Sequence, residues 1–197
     1  MKKSIILVAL LVMFFAGATQ AQTSIFSINY SVSIPTGNTA DYIDQVSGRG
    51  IKLEYQRFIT RSFAVGGEIG NTTLYKRELD KVYTEGSASL SGVQYRYQNS
   101  YPILVTGTYY ANQTGEFKPY ASLGVGTIAH DRRIEMGIFS SEDTHWQFAL
   151  RPELGLMYRP ALNVGFKLGA KYYQSFSSSN LDGQSTIGLD FGILFIR

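Results

Sequence analysis

A chain of 197 residues is the size of one domain, and its 44% apolar content and mean hydropathy of -0.06 would suit a water-soluble protein. It contains no cysteine, which excludes a disulfide framework, a thiolate metal site and lipid attachment through an N-terminal Cys. The formal net charge of +3 falls to about +1 once Lys2 and Lys3 are set aside, so there is no electrostatic footprint for nucleic acid. Twenty Gly, fourteen Tyr and twelve Phe lean the composition towards β-structure.

The chain opens with MKKSIILVALLVMFFAGATQAQ. Lys2 and Lys3 make a charged n-region, Ile5 to Phe15 an apolar h-region, and small residues follow, as in a cleaved signal peptide. Cleavage is expected after Ala21, with Ala18 as the alternative. A retained membrane helix is disfavoured because the apolar run is shorter than the ~20 residues that span a bilayer. The expected organisation is therefore a signal peptide at 1–21 and one exported domain at 22–197.

Eight stretches with a period of two follow, and no stretch has a convincing helical period. The first, Phe26–Ile34, reads FSINYSVSI, apolar at every even position and Ser or Asn at every odd one. Gly50–Phe58 sets Ile51, Leu53 and Tyr55 against Lys52, Glu54 and Gln56. Phe63–Thr73 sets Phe63, Val65 and Ile69 against Gly66, Glu68 and Gly70. Val93–Tyr110 sets tyrosines and aliphatics against Gln94, Arg96, Gln98, Ser100, Thr106 and Thr108. Lys118–His130 sets Ala121, Leu123 and Val125 against Tyr120, Ser122 and Gly124. Trp146–Tyr158 sets Trp146, Phe148, Leu150 and Leu154 against Gln147, Arg151 and Glu153. Leu162–Gln174 sets Val164, Phe166 and Leu168 against Lys167 and Lys171. Thr186–Arg197 sets Leu189, Phe191 and Ile193 against Gly188, Asp190 and Gly192.

Connections after the odd-numbered stretches are long: Pro35–Arg49, Leu74–Gly92, Asp131–His145 and Ser175–Ser185. Those after the even-numbered ones are short: Ile59–Ser62, Ala111–Phe117 and Arg159–Ala161. Long loops at one end and tight turns at the other are the arrangement of an outer-membrane barrel, with both termini on the periplasmic side.

A soluble β-sandwich would also give each strand one apolar face. Four features favour lipid. The stretches reach the ~9–11 residues that cross a bilayer, against about 5–6 for strands of soluble proteins. The apolar faces carry no charge apart from Arg57 and Arg197 near periplasmic ends, and an Arg at the lipid midplane costs about 2–4 kcal/mol. Aromatics gather at strand ends, with Tyr55, Phe63, Tyr109, Tyr158 and Phe195 at one level and Tyr97, Trp146 and Tyr172 at the other, as two interfacial girdles. The opposite face carries both signs of charge, which can pair inside a closed barrel. The expected fold is all-β, an eight-stranded antiparallel up-and-down transmembrane β-barrel. The sheet must close because lipid offers its backbone no hydrogen-bond partner.

The stretch Asp190-Phe-Gly-Ile-Leu-Phe-Ile-Arg197 and the eight-stretch pattern resemble the eight-stranded outer-membrane barrels of the OmpA-transmembrane, OmpX and OmpW type. The resemblance implies outer-membrane localisation, contact with outer-membrane lipids, and insertion by the barrel-assembly machinery through the last strand. It also implies membrane stability and surface interaction for the OmpA- and OmpX-like members, and a narrow path for small or hydrophobic molecules for the OmpW-like ones. This chain ends in Arg197 where that family commonly ends in an aromatic. Pro152, in the sixth stretch, is expected to mark a bulge.

An eight-stranded interior is just wide enough for side chains to fill. Lys52, Glu54, Glu68, Arg96, Arg151, Glu153, Lys167, Lys171 and Asp190 are expected to form a charge network plugging the lumen. Pairing of Glu54 or Glu68 with Arg96, and of Arg151 or Lys167 with Glu153, would mark such a plug; a continuous gap, or an opening near Pro152, would mark a channel. In the loops, Arg49, Lys76, Arg77, Lys81, Arg132 and Arg133 are candidates for glycolipid phosphates. The simpler reading pairs them with Glu78, Asp80, Asp131 and Glu135. His130 and His145 flank a loop with Asp131, Ser140, Ser141, Glu142 and Asp143, but no nucleophile elbow or metal-ligand spacing occurs. The chain is read as non-enzymatic, monomeric and without metal or cofactor, with a structural or surface-interaction role; a narrow solute channel is the alternative.

Overall fold

A computed structural model describes residues 23–85, 88–111, 115–136, 139–178 and 181–197, so the expected signal peptide lies outside the described residues. The strands are β1 (Ser24–Thr36), β2 (Ser47–Phe58), β3 (Phe63–Glu85), β4 (Ala88–Tyr110), β5 (Phe117–Met136), β6 (Phe139–Tyr158), β7 (Val164–Ser175) and β8 (Ser185–Ile196). One short helix, α1 (Asn38–Tyr42), lies between β1 and β2. Each strand pairs antiparallel with its neighbour, and β1 pairs with β8 from Ile25↔Ile196 to Thr36↔Ser185, closing the barrel.

Period two is converted directly into facing. In β1, Ser27, Asn29, Ser31 and Ser33 are buried inside, whereas Phe26, Ile28 and Tyr30 are 41–50% exposed on the outside. The inverted arrangement, polar in and apolar out, is what a barrel in lipid requires. The lower girdle is fuller than the sequence pattern suggests: Phe26, Phe117 and Phe166 join Tyr55, Phe63, Tyr109, Tyr158 and Phe195. Phe117 and Tyr158 stack with centroids 4.7 Å apart.

Two expectations are corrected. The segments Leu74–Gly92 and Asp131–His145, expected as loops, belong mostly to strands that extend as hairpins: β3 and β4 have 23 residues each, β5 and β6 have 20. At ~3.3 Å per residue, 23 residues reach about 75 Å, far more than a bilayer needs. Pro152 makes no bulge. β5 pairs with it at Leu123, and towards β7 the register is the same on both sides, Leu150↔Gln174 and Glu153↔Lys171. Only the rungs at Arg151 and Pro152 are missing there, as expected of a residue without an N–H. Register shifts occur instead between Ser31 and Ser33 against β2, and between Glu78 and Lys81 against β4.

The lower end of the lumen is apolar. Ile25, Ala64, Tyr110, Tyr120, Met157, Leu194 and Ile196 form a buried inward cluster with Phe58 packed against it. Rings of Tyr110 and Tyr120 lie 5.6 Å apart.

Candidate functional site: the lumen charge cluster and the outer rim

Above that floor, four carboxylates and four cationic side chains are buried together: Glu54, Glu68, Glu153 and Asp190 with Lys52, Arg151, Lys167 and Lys171. Their positions follow from the inward-facing period of β2, β3, β6, β7 and β8. Lys171 is the hub. Its Nζ contacts Glu54 Oε1 at 2.5 Å, Asp190 Oδ2 at 2.7 Å and Glu68 Oε2 at 2.8 Å, reaching from β7 to β2, β8 and β3. Lys167 Nζ lies 2.6 Å from Glu54 Oε2 and 3.1 Å from Glu153 Oε1. Arg151 pairs with Glu68 at 3.2 Å and with Glu153.

Neutral donors add to these contacts. Tyr120 donates to Glu153 and Tyr173 to Glu68, both at 2.7 Å, and Ser31 donates to Asp190 at 2.6 Å. Asn29 Nδ2 donates to Glu54 at 3.2 Å. Lys52 sits apart from the ion pairs, donating to Thr72 Oγ1 at 2.6 Å with its Nζ over the Tyr173 ring at 5.2 Å. The tyrosines carry a sequence signal: Tyr120 and Tyr173 stand on the inward faces of their strands, among mostly small or polar residues. Tyr120 fits because Gly155 and Gly169 leave room for its hydroxyl; a Cβ on Gly169 would lie 2.7 Å from that oxygen.

Arg96 does not join this cluster, which corrects the expected pairing with Glu54 or Glu68. It lies higher on β4, pairs with Glu78 at 3.3 Å, donates to the Tyr42 carbonyl at 3.3 Å and sits over the Tyr42 ring. Oxygens of Glu54, Glu68 and Glu153 converge within 4.8 Å, close enough to share a metal ion, but Lys171, Lys167 and Arg151 already neutralise them.

The outer mouth is bridged by α1 and the start of β8. Thr39 donates to Gln184 Oε1 at 2.9 Å and accepts from the Ser185 amide, while Asn38 donates to the Gly183 carbonyl. Arg132 donates to Gln184 at 2.7 Å and to Gln98 at 3.0 Å, and its guanidinium lies 4.3 Å from the Tyr42 ring centre. Burial pushes the Tyr42 hydroxyl above the usual tyrosine value, against the pull of Arg132 and Arg96. Between mouth and cluster a cavity of about 20 Å³, the size of a single water, is lined by residues including Lys52, Thr72, Ser100, His130 and Ser175.

Of the six basic rim candidates, two turn inward. Arg132 is held in the mouth, and Lys76 pairs with Asp44 at 3.1 Å and Glu78 at 3.3 Å. Arg49, Arg77 and Arg133 lie on the outward face, each over a tyrosine ring, and Arg133 also pairs with Glu135. The side chain of Lys81 lies outside the described residues. His130 is buried, with Nδ1 2.9 Å from Ser100 Oγ and Nε2 3.0 Å from Ser175 Oγ. Among the described residues no carboxylate lies within hydrogen-bond reach of its ring, so no Ser-His-acid relay is assembled at His130.

The same architecture recurs in solved structures. The attachment invasion locus protein Ail of Yersinia pestis, solved with the heparin analogue sucrose octasulfate, is similar at 17% identity and a TM-score of 0.59, over 90% of this chain and 100% of that one. Neisserial surface protein A is similar at 10% identity and 0.54, over 89% and 97%. The outer membrane protease OmpT of Escherichia coli is similar at 7% and 0.52, over 91% and 98%. Identities this low speak to the fold alone. No curated protein matches the sequence. Residues 6–195 match a sequence family described as the outer membrane protein beta-barrel domain, and with its closed sheet, apolar exterior and charged interior the chain belongs to that family.

Proposed function

We propose that this outer-membrane barrel is non-conducting and non-enzymatic, its lumen closed by an ionic plug, and that it acts through the surface it raises outside the cell. The observation that carries the reading is Lys171, fully buried and bound by carboxylates of three other strands. Buried ion pairs are poor devices for stability alone, since desolvation offsets most of their attraction. Their use here follows from location. A barrel interior has to be filled, and side chains that cross it and cancel in charge leave neither a path nor a field for ions. The apolar cluster beneath and the bridged mouth above support closure at two further levels.

The surface role rests on the long hairpins β3–β4 and β5–β6, which extend well past the membrane. The histidine geometry favours no catalytic role, His130 being held by two serine hydroxyls.

Single-channel recording of the refolded protein in a planar bilayer tests the plug, beside a Glu54→Ala/Glu68→Ala variant. A silent wild type with a conducting variant is expected. Steady conductance in the wild type would sink the plug and assign the protein to narrow solute channels.

A further inference from the structure

The outward face of β3, β4 and β5 changes character row by row with height. Ile69 and Ile103 face lipid side by side. The row of Thr73, Asn99 and Asp131 is polar and internally bonded, Thr73 to Asn99 at 2.8 Å and Asn99 to Asp131 at 3.4 Å. That row ends the apolar band. One step of two residues higher, ~6–7 Å along the strand, aromatics return: Tyr75 lies beside Tyr97, and Tyr95 follows in the next row.

These tyrosines pack on one another, Tyr75 with Tyr97 at 5.1 Å and with Tyr95 at 6.2 Å. Each carries a guanidinium: Arg49 lies 5.9 Å from the Tyr75 centroid, Arg77 5.8 Å from Tyr95, and Arg133 6.0 Å from Tyr97. Among the described residues neither Arg49 nor Arg77 meets a carboxylate, whereas the inward Lys76 and Arg96 both do. Two arginines over tyrosine faces, without a carboxylate partner among the described residues, offer donors suited to an anion.

We infer that this tyrosine–arginine strip binds the phosphorylated sugar headgroup of an outer-leaflet glycolipid, phosphate on Arg49 and Arg77 and sugar faces on the tyrosines. Position just above the lipid-facing band selects a lipid rather than a soluble ligand. The strip begins one polar row above the apolar band, so a lipid whose chains lie along Ile69 and Ile103 would present its headgroup at this height. Arg133, shared with Glu135, forms the edge of the site.

The test reconstitutes the full barrel in nanodiscs doped with bisphosphorylated lipid A or with lipid A stripped of its phosphates. Mass spectrometry then counts the glycolipid retained per protein. The wild type is expected to prefer the phosphorylated form, and Arg49→Ala/Arg77→Ala to reduce that preference about tenfold, with its unfolding midpoint unchanged. Lys76→Ala, which alters only the inner rim, should retain it. Equal retention of both lipids by the wild type overturns the inference, as does undiminished preference in the double variant. A loss in Lys76→Ala as large as in the double variant overturns it too, and so does saturable binding of inorganic phosphate in detergent that displaces the lipid.

Discussion

Lys171 on β7 and Glu68 on β3 meet across the barrel, Nζ to Oε2, at 2.8 Å, with both side chains wholly shielded from solvent. Neither strand neighbours the other, so the contact belongs to the closed barrel and to no hairpin. Lys171→Met removes the one cation shared by Glu54, Glu68 and Asp190 and leaves their charges buried. Breaking a buried pair from one side costs about 3–5 kcal/mol. Urea unfolding in liposomes should register a loss of that size. A loss near zero would mean that water enters the lumen and the cluster is solvated.

Gly169→Ala perturbs the same cluster without touching a charge. The new Cβ would crowd the Tyr120 hydroxyl at 2.7 Å and Glu153 Oε1 at 2.8 Å, two atoms that are hydrogen-bonded to each other. Overpacking of this kind costs about 1–3 kcal/mol. Combining Gly169→Ala with Tyr120→Phe should cost less than the two singly added, because the second change removes the group the first displaces. Strict additivity in a double-mutant cycle would sink that account.

Much of this architecture was legible because lipid imposes one rule on every strand it touches. Phe26, Ile28 and Tyr30 alternate with Ser27, Asn29 and Ser31, and nothing but a two-sided sheet explains it. The rule lapses where both faces meet water. In Leu74–Gly92 and Asp131–His145 charged residues occur on both faces, the period vanishes, and strands read as loops. The cluster was legible in eight of its nine expected members and in part of its wiring, since Arg151 and Lys167 both meet Glu153 as expected. Arg96 has the right facing, yet the hairpin carries it to the mouth beside Tyr42, a height that only the register with β3 and β5 reveals. Tyr173 and Tyr120 went unread because an inward tyrosine looks like a break in the pattern until Glu68 and Glu153 appear as its partners.

The Asp44–Lys76 pair fastens the segment after α1 to the rim, and its pH dependence follows from one hydrogen bond. Lys76 beside Asp44 holds that carboxyl below its usual range and raises the lysine in turn. A depressed carboxyl favours the tethered state at pH above the unfolded value, ~3.9, and loses that contribution as pH falls through the lower folded value. The tether should therefore persist throughout neutral pH and release only in strong acid. Carboxyl-carbon NMR should follow Asp44 titrating below ordinary aspartates, and Lys76→Ala should return it upward. An unmoved midpoint would show that the contact is not populated in solution.

Lipid contact itself can be graded by depth. Val125 faces outward halfway up β5, paired with Val105 and Leu150, while Val164 faces outward at the short-turn end of β7, beside Phe195. They are 39% and 38% exposed, so removal from water by protein is the same at both sites and only the surroundings differ. In a soluble sandwich an outward arginine would cost little at either. In lipid, Val125→Arg must bring a guanidinium to mid-bilayer, about 2–4 kcal/mol, whereas Val164→Arg reaches the interface at about 0–1 kcal/mol. Reversible unfolding from phospholipid vesicles measures both. A clear excess cost at Val125 places the membrane where the apolar band puts it; equal costs would remove the band from the bilayer, and with it the height at which the tyrosine–arginine strip meets a headgroup.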